Sequence, residues 1–236
     1  METDRRVAII TGGSQDIGAG LVAGYRERGW AVVASALAIK PSEESDLLTV
    51  EGDIADPATA GRIVAAALGR FGRIDTLVNN AWAFISKPFT EYTEPDYAFV
   101  AGVNLAGFFW LTQRVIAEMA TRYGGHVVNI SPALTEVANS GTRAVLAALT
   151  QGGLAAVTKS LAVEYGSLGI RVNAVSPGII QMPDQPADSY ERFGRLLPLG
   201  RAGQVSDVVD GVLFLESSPY ITGEILHIDG GQAAGH

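Results

Sequence analysis

Residues 7–18 have the sequence VAIITGGSQDIG, an apolar run that leads directly into a glycine-rich turn. A first strand, such a turn and a following helix form the place where doubly wound α/β domains hold the diphosphate of a dinucleotide. Alone this signal is weak. The pattern along the rest of the chain decides how much weight it carries.

Short apolar runs rich in valine and isoleucine alternate with longer segments of helical periodicity. The runs lie at 7–10, 31–34, 47–50, 76–78, 126–130, 172–175 and 224–228. Helices are predicted near 17–28, 57–70, 95–120, 142–168 and 205–216. Continuous apolar strands separated by helices are typical of a parallel sheet that is covered on both faces. The sequence therefore predicts an α/β fold of the Rossmann type, a single doubly wound domain over residues 1–236.

One long stretch, at about 179–203, is irregular and contains Pro183, Pro186 and Pro198. Long loops in compact domains are more often functional than accidental, so this stretch is predicted to be a substrate loop or lid.

Composition excludes several classes of protein. A chain of 236 residues is the size of one large α/β domain. A formal net charge of −8 argues against nucleic acid and against anionic membranes as partners. There are no cysteines, and no metal-ligand spacing is present. The first residues lack a signal-peptide layout, and no stretch approaches the roughly 18 uncharged apolar residues of a membrane helix. We therefore expect a soluble, cytoplasmic protein.

Four further motifs strengthen the signal of the glycine-rich turn. They are Gly52-Asp53-Ile54-Ala55-Asp56, Asn79-Asn80-Ala81, Ser176-Pro177-Gly178, and Ile221-Thr222-Gly223 followed by Ile228-Asp229-Gly230-Gly231. In this order and spacing the chain resembles the short-chain dehydrogenase/reductase family over essentially its whole length. The resemblance implies a seven-stranded parallel sheet flanked by helices, assembled as a homodimer or homotetramer.

The resemblance also implies a catalytic tyrosine, a lysine four residues later that lowers its pKa, a serine on the preceding strand and an asparagine. Residues 152–162 align without a gap to the helix that follows that lysine, which puts Gln151 at the lysine position and Ala147 at the tyrosine position. None of the seven tyrosines is followed four residues later by a lysine. The pair is therefore predicted to be absent.

Of the other two catalytic positions that the resemblance implies, the serine is replaced and the asparagine is retained. Residues 127–132 match the strand that ends in the serine, which puts Pro132 at that position, with Ser131 or Thr135 as substitutes if the loop is shifted. Asn104, between Val103 and Leu105, matches the asparagine and is retained.

Asp16 replaces a glycine of the dinucleotide fingerprint. At about 5 Å from a diphosphate and an effective dielectric near 20, it would be repelled by roughly 3 kcal/mol, or about two powers of ten in affinity. Its carboxylate could also cap the helix and fill the anion site itself. The alternative is an aspartate that faces solvent in a turn, where this residue tolerates unusual backbone angles. The two interpretations weigh about equally.

Two more positions depart from the cofactor pattern. Trp82 replaces the glycine that ends the third motif, and its indole could fill the volume of the ribose or nicotinamide, unless it turns outward. Leu37 lies where an acidic residue would select NAD or an arginine would select NADP. The vestigial cofactor positions are Gly12, Asp16, Ile17, Gly18, Leu37, Asp53, Asn79, Ala81, Trp82, Pro177 and Gly178.

The candidate pocket lies at the carboxyl ends of the strands. Its predicted lining is Trp82, Phe84, Ser131, Leu134, Glu136, Arg143, Ala147, Gln151, Met182 and Tyr190. Glu136 would act as a base only if it were desolvated, and a solvated glutamate is the preferred interpretation. His126, His227 and His236 have no convincing partner in the sequence.

Three hypotheses follow from a complete scaffold with a changed site. The leading one is a small-molecule-binding protein that has lost redox chemistry and binds no nicotinamide cofactor, with a cofactor-independent isomerase, lyase or cyclase as the candidate activities. The second is a non-catalytic pseudoenzyme that binds a ligand or a partner. The third is an oxidoreductase that uses NAD or NADP to interconvert ketones and alcohols, with water or another side chain as the proton source.

Overall fold

The apolar runs form strands and the periodic segments form helices. The computed structural model describes residues 5–138, 141–182, 194 and 197–234. The strands are β1 (Val7–Thr11), β2 (Ala31–Ala36), β3 (Leu47–Glu51), β4 (Thr76–Asn79), β5 (Gly125–Ile130), β6 (Ile170–Pro177), β7 (Ile180–Gln181), β8 (Gly203–Gln204) and β9 (Ile225–Ile228). The helices are α1 (Asp16–Glu27), α2 (Pro57–Phe71), α3 (Glu94–Ala101), α4 (Phe108–Thr121), α5 (Val145–Gln151), α6 (Leu154–Tyr165) and α7 (Val205–Glu216).

Seven of these strands form one sheet in the order β3-β2-β1-β4-β5-β6-β9, and every neighbouring pair is parallel. The order changes direction between β1 and β4. At such a point the two adjacent crossovers lie on opposite faces, and a crevice opens at the carboxyl ends of the strands. The predicted Rossmann-type fold with a seven-stranded parallel sheet is confirmed.

Each face of the sheet has its own core. On one face Ile10 packs in a cluster with Leu21 of α1 and Val212 of α7. On the other face Ile9 packs in a cluster with Ile63 of α2. All five side chains are fully buried, and burying one such side chain stabilises the fold by about 1.5–3 kcal/mol.

The bounds of α2 show how local chemistry sets the element ends. The Asp56 carboxylate accepts a hydrogen bond from the Ala58 amide at 2.9 Å, and Pro57 takes the first helical position. Gly72, with a φ of 73°, ends the helix in the left-handed conformation that glycine adopts most easily.

Two predicted helices are interrupted. The segment near 142–168 is divided into α5 and α6 at Gly152 and Gly153, and the segment near 95–120 contains a π-helical turn at Gly102–Gly107. Such turns shift the side chains that follow relative to a regular helix. Here the turn contains Asn104, whose side chain points inward.

No helix covers the connection between β2 and β3 in the described chain, where residues 37–46 run as a loop. Leu47, Leu48, Thr49 and Val50 of the edge strand β3 are therefore only half-buried.

Two helical stretches correct the expectation that nothing in the chain approaches a membrane helix. Among the described residues, Glu94–Thr121 and Val145–Leu168 are long and apolar enough to span a membrane by length and composition, with mean hydropathies of 1.3 and 1.2. In the fold they pack on the sheet, where Leu111, Val115 and Met119 of α4 are fully buried. Their hydropathy reflects packing on the sheet as well as exposed apolar side chains.

A buried polar network joins five elements at the amino-terminal side of the sheet. One carboxylate oxygen of Glu216, Oε2, accepts hydrogen bonds from Tyr25 at 3.1 Å, from Thr76 at 2.9 Å and from His126 at 3.0 Å. Burial raises the pKa of Tyr25 well above its ordinary value. Burial would also raise the pKa of Glu216, but the donated hydrogen bonds hold it below its usual value.

The network fixes the protonation of His126. Asn173 Oδ1 accepts from the Glu224 amide, so its Nδ2 must be the donor toward His126 Nε2 at 3.0 Å. His126 Nδ1 then carries the proton that is donated to Glu216, and burial lowers the pKa of the ring. The prediction that His126 has no partner is wrong, because its partners lie far away in sequence.

We expect the free energy of unfolding to decrease as the pH falls below the ordinary histidine pKa of 6.5. His126 is neutral in the fold and takes up a proton on unfolding, so acid favours the unfolded chain. Because the pKa of Glu216 is also lowered, a second loss begins below its ordinary value of 4.5. Urea unfolding between pH 4 and pH 8 measures both losses.

Replacement of His126 by glutamine is the matched variant for this prediction. It should cost about 1–3 kcal/mol at pH 7 and remove most of the pH dependence between 6.5 and 5. His227→Gln changes a half-exposed ring and serves as the control. A variant His126→Gln with the same pH dependence as the natural chain would contradict the assignment.

Candidate functional site

A groove with a volume of about 580 Å³ runs along the carboxyl ends of β1, β2, β3 and β4. It is lined by Thr11, Gly12, Ser14, Gln15, Asp16, Ile17, Gly18, Ser35, Ala36, Leu37, Ala38, Gly52, Asp53, Ile54, Asn80, Ala81, Trp82, Ala83, Phe84, Phe99, Val103 and Met182. The crevice expected from the strand order is therefore present, and the glycine-rich turn forms one of its walls.

The glycine-rich turn is built by two close backbone approaches. Gly12 has a φ of +65°, which favours glycine, and a Cβ on it would lie 2.9 Å from Asn80 Nδ2. A Cβ on Gly18 would lie 1.9 Å from the carbonyl oxygen of Gly12. Glycine at position 18 is thus required for α1 to begin directly above the turn.

The amino terminus of α1 is left open toward the groove. Gln15 is the N-cap residue and makes no side-chain capping bond, and Asp16 follows as the first helical residue with a φ of +50°. The first N–H groups of a helix have no partner within the helix and attract anions. The hypothesis that Asp16 caps the helix gains no support, since the hydrogen bonds of the described residues include none to its carboxylate. The unusual backbone angle agrees with the alternative interpretation of a turn aspartate.

Thr11 and Asn80 tie the end of β4 to the turn. Thr11 Oγ1 accepts hydrogen bonds from the Asn80 and Ala81 amides, both at 2.9 Å. Asn80 Nδ2 in turn donates to the Thr11 carbonyl at 2.9 Å. These bonds fix the backbone of Asn80 and Ala81, the two residues that precede Trp82.

Asn104 holds the next residue of the same segment. Its Oδ1 accepts from the Ala83 amide at 2.7 Å, and its Nδ2 donates to the Ala83 carbonyl at 3.0 Å and to Thr150 Oγ1 at 3.0 Å. The side chain is 2% exposed, so these bonds are shielded from water. The retained asparagine therefore acts as a clamp between the end of β4 and α5.

Trp82 lies on the wall of the groove. Its ring is 5.5 Å from that of Phe84, at an angle of 31°, and the two side chains are 39% and 37% exposed. Gly12 and Met182 line the same groove as the indole. The interpretation that Trp82 fills the cofactor volume stays a prediction, since the structure places the indole among the lining residues of an open groove.

Ala147 and Gln151 lie on α5 and are 1% and 3% exposed. Neither lines the groove. Gln151 Oε1 is buried without a hydrogen-bond partner in the described part of the chain, a condition it shares there only with Gln232 Oε1. Leu146 beside them packs with Ala83.

The predicted pocket is divided by the fold. Trp82, Phe84 and Met182 line the groove. The other described members do not line it: Ser131, Leu134, Glu136, Arg143, Ala147 and Gln151. Pro132, at the predicted serine position, does not line it either. Tyr190 lies outside the described residues, as do Pro183 and Pro186 of the predicted lid.

Glu136 has partners that the sequence did not predict. Its Oε1 accepts from the buried Ser176 hydroxyl at 2.7 Å, and its Oε2 lies 3.1 Å from His227 Nε2. The half-exposed His227 thus has a partner, and Glu136 is held between β6 and β9 by specific contacts.

Several predicted cofactor positions have structural contacts of their own. Asn79 Nδ2 donates to Thr112 and Asn129, and Asp53 Oδ1 accepts from the Ala55 amide. Asn79, Pro177 and Gly178 do not line the groove, whereas the other predicted cofactor positions do. A Cβ on Gly178 would lie 2.7 Å from Asp229 Cα, so this glycine permits close packing of the two chain segments.

Sequence reasoning missed part of the groove wall. Asn80, Phe99 and Val103 line it, although the first was quoted only as part of a motif and the other two lie within a predicted helix. The spacing of Phe99 and Val103, four residues apart, places them on one helical face and could have indicated a shared surface.

Comparison with known proteins supports a single family over the whole chain. A family model described as Enoyl-(Acyl carrier protein) reductase matches residues 12–233. The 3-oxoacyl-[acyl-carrier-protein] reductase FabG of Thermotoga maritima is 32% identical, over 98% of this chain and 99% of the relative. The 2-(R)-hydroxypropyl-CoM dehydrogenase of Xanthobacter autotrophicus is 34% identical, over 97% and 99%. The solved structure of ElxO with NADP bound has a TM-score of 0.91 at 27% identity, over 98% and 100%.

These findings overturn the leading hypothesis from the sequence. The expectation of a protein without redox chemistry and without a nicotinamide cofactor is wrong, since the full-length relatives are reductases and dehydrogenases, and the interpretation as a pseudoenzyme is not supported. The structure agrees with this correction, because a groove of about 580 Å³ remains between Asp16 and Trp82 and the residues that line it with them.

Gly18→Ala is expected to destabilise the chain by roughly 1–3 kcal/mol or more, because its Cβ would overlap the Gly12 carbonyl and push α1 from the turn. Urea unfolding measures the loss. Gly61→Ala in the middle of α2 is the matched control, since nothing lies within 4 Å of its Cβ. That control should stabilise by about 0.5–1 kcal/mol. Equal stability of the two variants would contradict the close approach.

Proposed function

This chain belongs to the short-chain dehydrogenase/reductase family, and we propose that it is an oxidoreductase that uses NAD or NADP to interconvert a ketone and an alcohol. The observation that carries the proposal is the open groove that begins at the uncapped amino terminus of α1 and ends at Trp82 and Phe84. Its position at the change of strand order is where this class of fold binds dinucleotides.

The residues present fit a dinucleotide. Gly12 and Gly18 leave no side chain between the groove and the amides at the start of α1, which would hold the diphosphate. Ser35, Leu37 and Asp53 surround the end of the groove at β2 and β3, which would take the adenosine. Leu37 is 71% exposed and offers no charge to select between NAD and NADP.

The catalytic positions differ from those of the family. We infer that Ala147 and Gln151 occupy the places of the tyrosine and lysine, from the ungapped segment that follows them and from their burial on α5. When bound, a reduced nicotinamide supplies a hydride to a carbonyl carbon. Because neither position offers a phenol or an ammonium group, water supplies the proton for the carbonyl oxygen.

The position inferred for the lysine lies outside the groove. Gln151 Oε1 is buried without a hydrogen-bond partner among the described residues, and Gln151 does not line the groove, so no cofactor contact is assigned to it. Thr150, its neighbour in the chain, bonds to Asn104 and so connects this helix to the segment that carries Trp82. We also propose that the chain is a single domain and that the irregular segment at about 179–203 is its substrate loop. The support for the loop is Met182, which belongs to this segment and lines the groove.

Isothermal calorimetry with NADH and NADPH tests the proposal directly. We expect micromolar binding of at least one of them, together with oxidation of the reduced cofactor at 340 nm when ketones are supplied. Failure of both to bind at millimolar concentration would refute the proposed function.

Asp16 should weaken the binding of the cofactor through repulsion of its diphosphate. Asp16→Asn removes the charge and keeps a residue that tolerates a φ of +50°. It is expected to tighten the measured dissociation constant by roughly tenfold to a hundredfold at low salt, and by less at 0.5 M salt because the charge is screened.

Asp16→Gly is the matched variant, because it removes the charge and also relieves the backbone angle. If only Asp16→Gly binds more tightly, the penalty lies in the backbone and the electrostatic explanation is wrong.

We also propose that the chain assembles as a homodimer or homotetramer through the two long helical stretches. Apolar side chains on them remain about half-exposed or more, including Leu105 at 45%, Phe109 at 51%, Leu149 at 64% and Val163 at 85%. Contiguous exposed apolar surface is typical of a subunit interface. It also accounts for the high mean hydropathy of these stretches.

Phe109→Arg combined with Val163→Arg should reduce the molar mass measured by light scattering to that of a smaller assembly, because both charges would be buried at the interface. Tyr220→Arg, at a fully exposed side chain outside these helices, is the control. An unchanged mass in the double variant would contradict an interface on these helices.

A further inference from the structure

Part of the groove wall is aromatic. Trp82 and Phe84 lie at a small angle to each other, and Phe99 on α3 adds a third ring that is 53% exposed. All three line the same cavity as Gly12 and Gly18, so the rings are continuous with the proposed dinucleotide site.

The aromatic wall is held rigidly. The residue before Trp82 is fixed by the bond from the Ala81 amide to Thr11 Oγ1, and the residue after it by both bonds between Ala83 and Asn104. A side chain on a fixed backbone loses little conformational entropy when a ligand binds. Large aromatic side chains in such positions are efficient binding anchors.

The charge of the groove restricts what can lie on this wall. Among the described residues that line it there is no lysine, arginine or histidine, and the two charged groups are Asp16 and Asp53. An anionic substrate would therefore find no cationic side chain there and would be repelled by both carboxylates. The lining also includes the apolar side chains of Val103 and Met182.

We propose that the substrate is an uncharged aryl ketone, or the corresponding alcohol, whose ring lies against Trp82 and Phe84. The inference rests on the proposed function and specifies its substrate class. In the reduction the carbonyl carbon gains a hydride from the reduced nicotinamide, which is oxidised, and the carbonyl oxygen gains a proton from water. Flat aromatic rings stack on the wall, whereas puckered aliphatic rings of the same size fit it less closely.

A matched pair of ketones tests the stacking. Acetophenone and cyclohexyl methyl ketone have the same carbon skeleton and differ in the planarity of the ring. The quantity to measure is the ratio of their kcat/KM values in the natural chain divided by the same ratio in a variant, because intrinsic reactivity cancels. For Trp82→Leu we expect this quotient to be about ten, because the kcat/KM for acetophenone falls while the kcat/KM for cyclohexyl methyl ketone does not change.

Two further variants serve as controls for this experiment. Trp82→Phe keeps an aromatic ring and should retain most of the preference for acetophenone, even if Trp82→Leu folds poorly. Phe89→Leu removes a ring that is 69% exposed and does not line the groove, and its quotient should stay at one.

Calorimetry with NADH and NADPH on the same samples separates the two levels of the proposal. If a cofactor binds but Trp82→Leu affects both ketones equally, or neither ketone is reduced, the substrate class is wrong and the proposed function is judged separately. If Trp82→Leu abolishes cofactor binding, Trp82 is a cofactor contact and the inference is overturned. If the natural chain binds neither cofactor, the proposed function itself fails.

Discussion

The contact between the backbone at Gly18 and the carbonyl of Gly12 is the constraint on which the site depends. A Cβ at position 18 would lie only 1.9 Å from that oxygen, so the helix can start this close to the strand only with glycine there. The close start aligns the open amides of α1 with the ends of β1 and β4. From this geometry follow the groove, the exposed helix terminus and the position of the aromatic wall opposite.

The second organising feature is a segment held at both ends. Residues 80–83 are tied to β1 through Thr11, and to the π-helical turn and α5 through Asn104 and Thr150. The asparagine that the family resemblance places among catalytic residues here has both amide N–H groups and its Oδ1 engaged in contacts to Ala83 and Thr150. The consequence is a segment beside the groove whose backbone is fixed by hydrogen bonds to several elements.

The fold could be predicted from the sequence because strand and helix periodicity are local, and a parallel sheet makes its strands apolar throughout. The role of Asp16 could not be predicted from the sequence. It depends on whether residue 15 or residue 16 is the first residue of α1, and sequence patterns do not locate a helix end to within one residue. The contacts around Trp82 could not be predicted either, because its neighbours Ala81 and Ala83 bond to Thr11 and Asn104, which lie far away in the chain. The partners of His126, at positions 173 and 216, are equally invisible to local patterns.

The missing helix between β2 and β3 has a consequence for the dynamics of the protein. β3 has one neighbouring strand and half-buried side chains, so its amides should exchange with solvent sooner than those of β1, which lies fully buried in the middle of the sheet. Gly52 and Asp53, directly after β3, line the groove. A ligand that occupies this end would order this edge of the sheet. Binding energy would then be divided between contact with the ligand and the ordering of a strand, and ligand affinity would depend on how firmly that edge is formed beforehand.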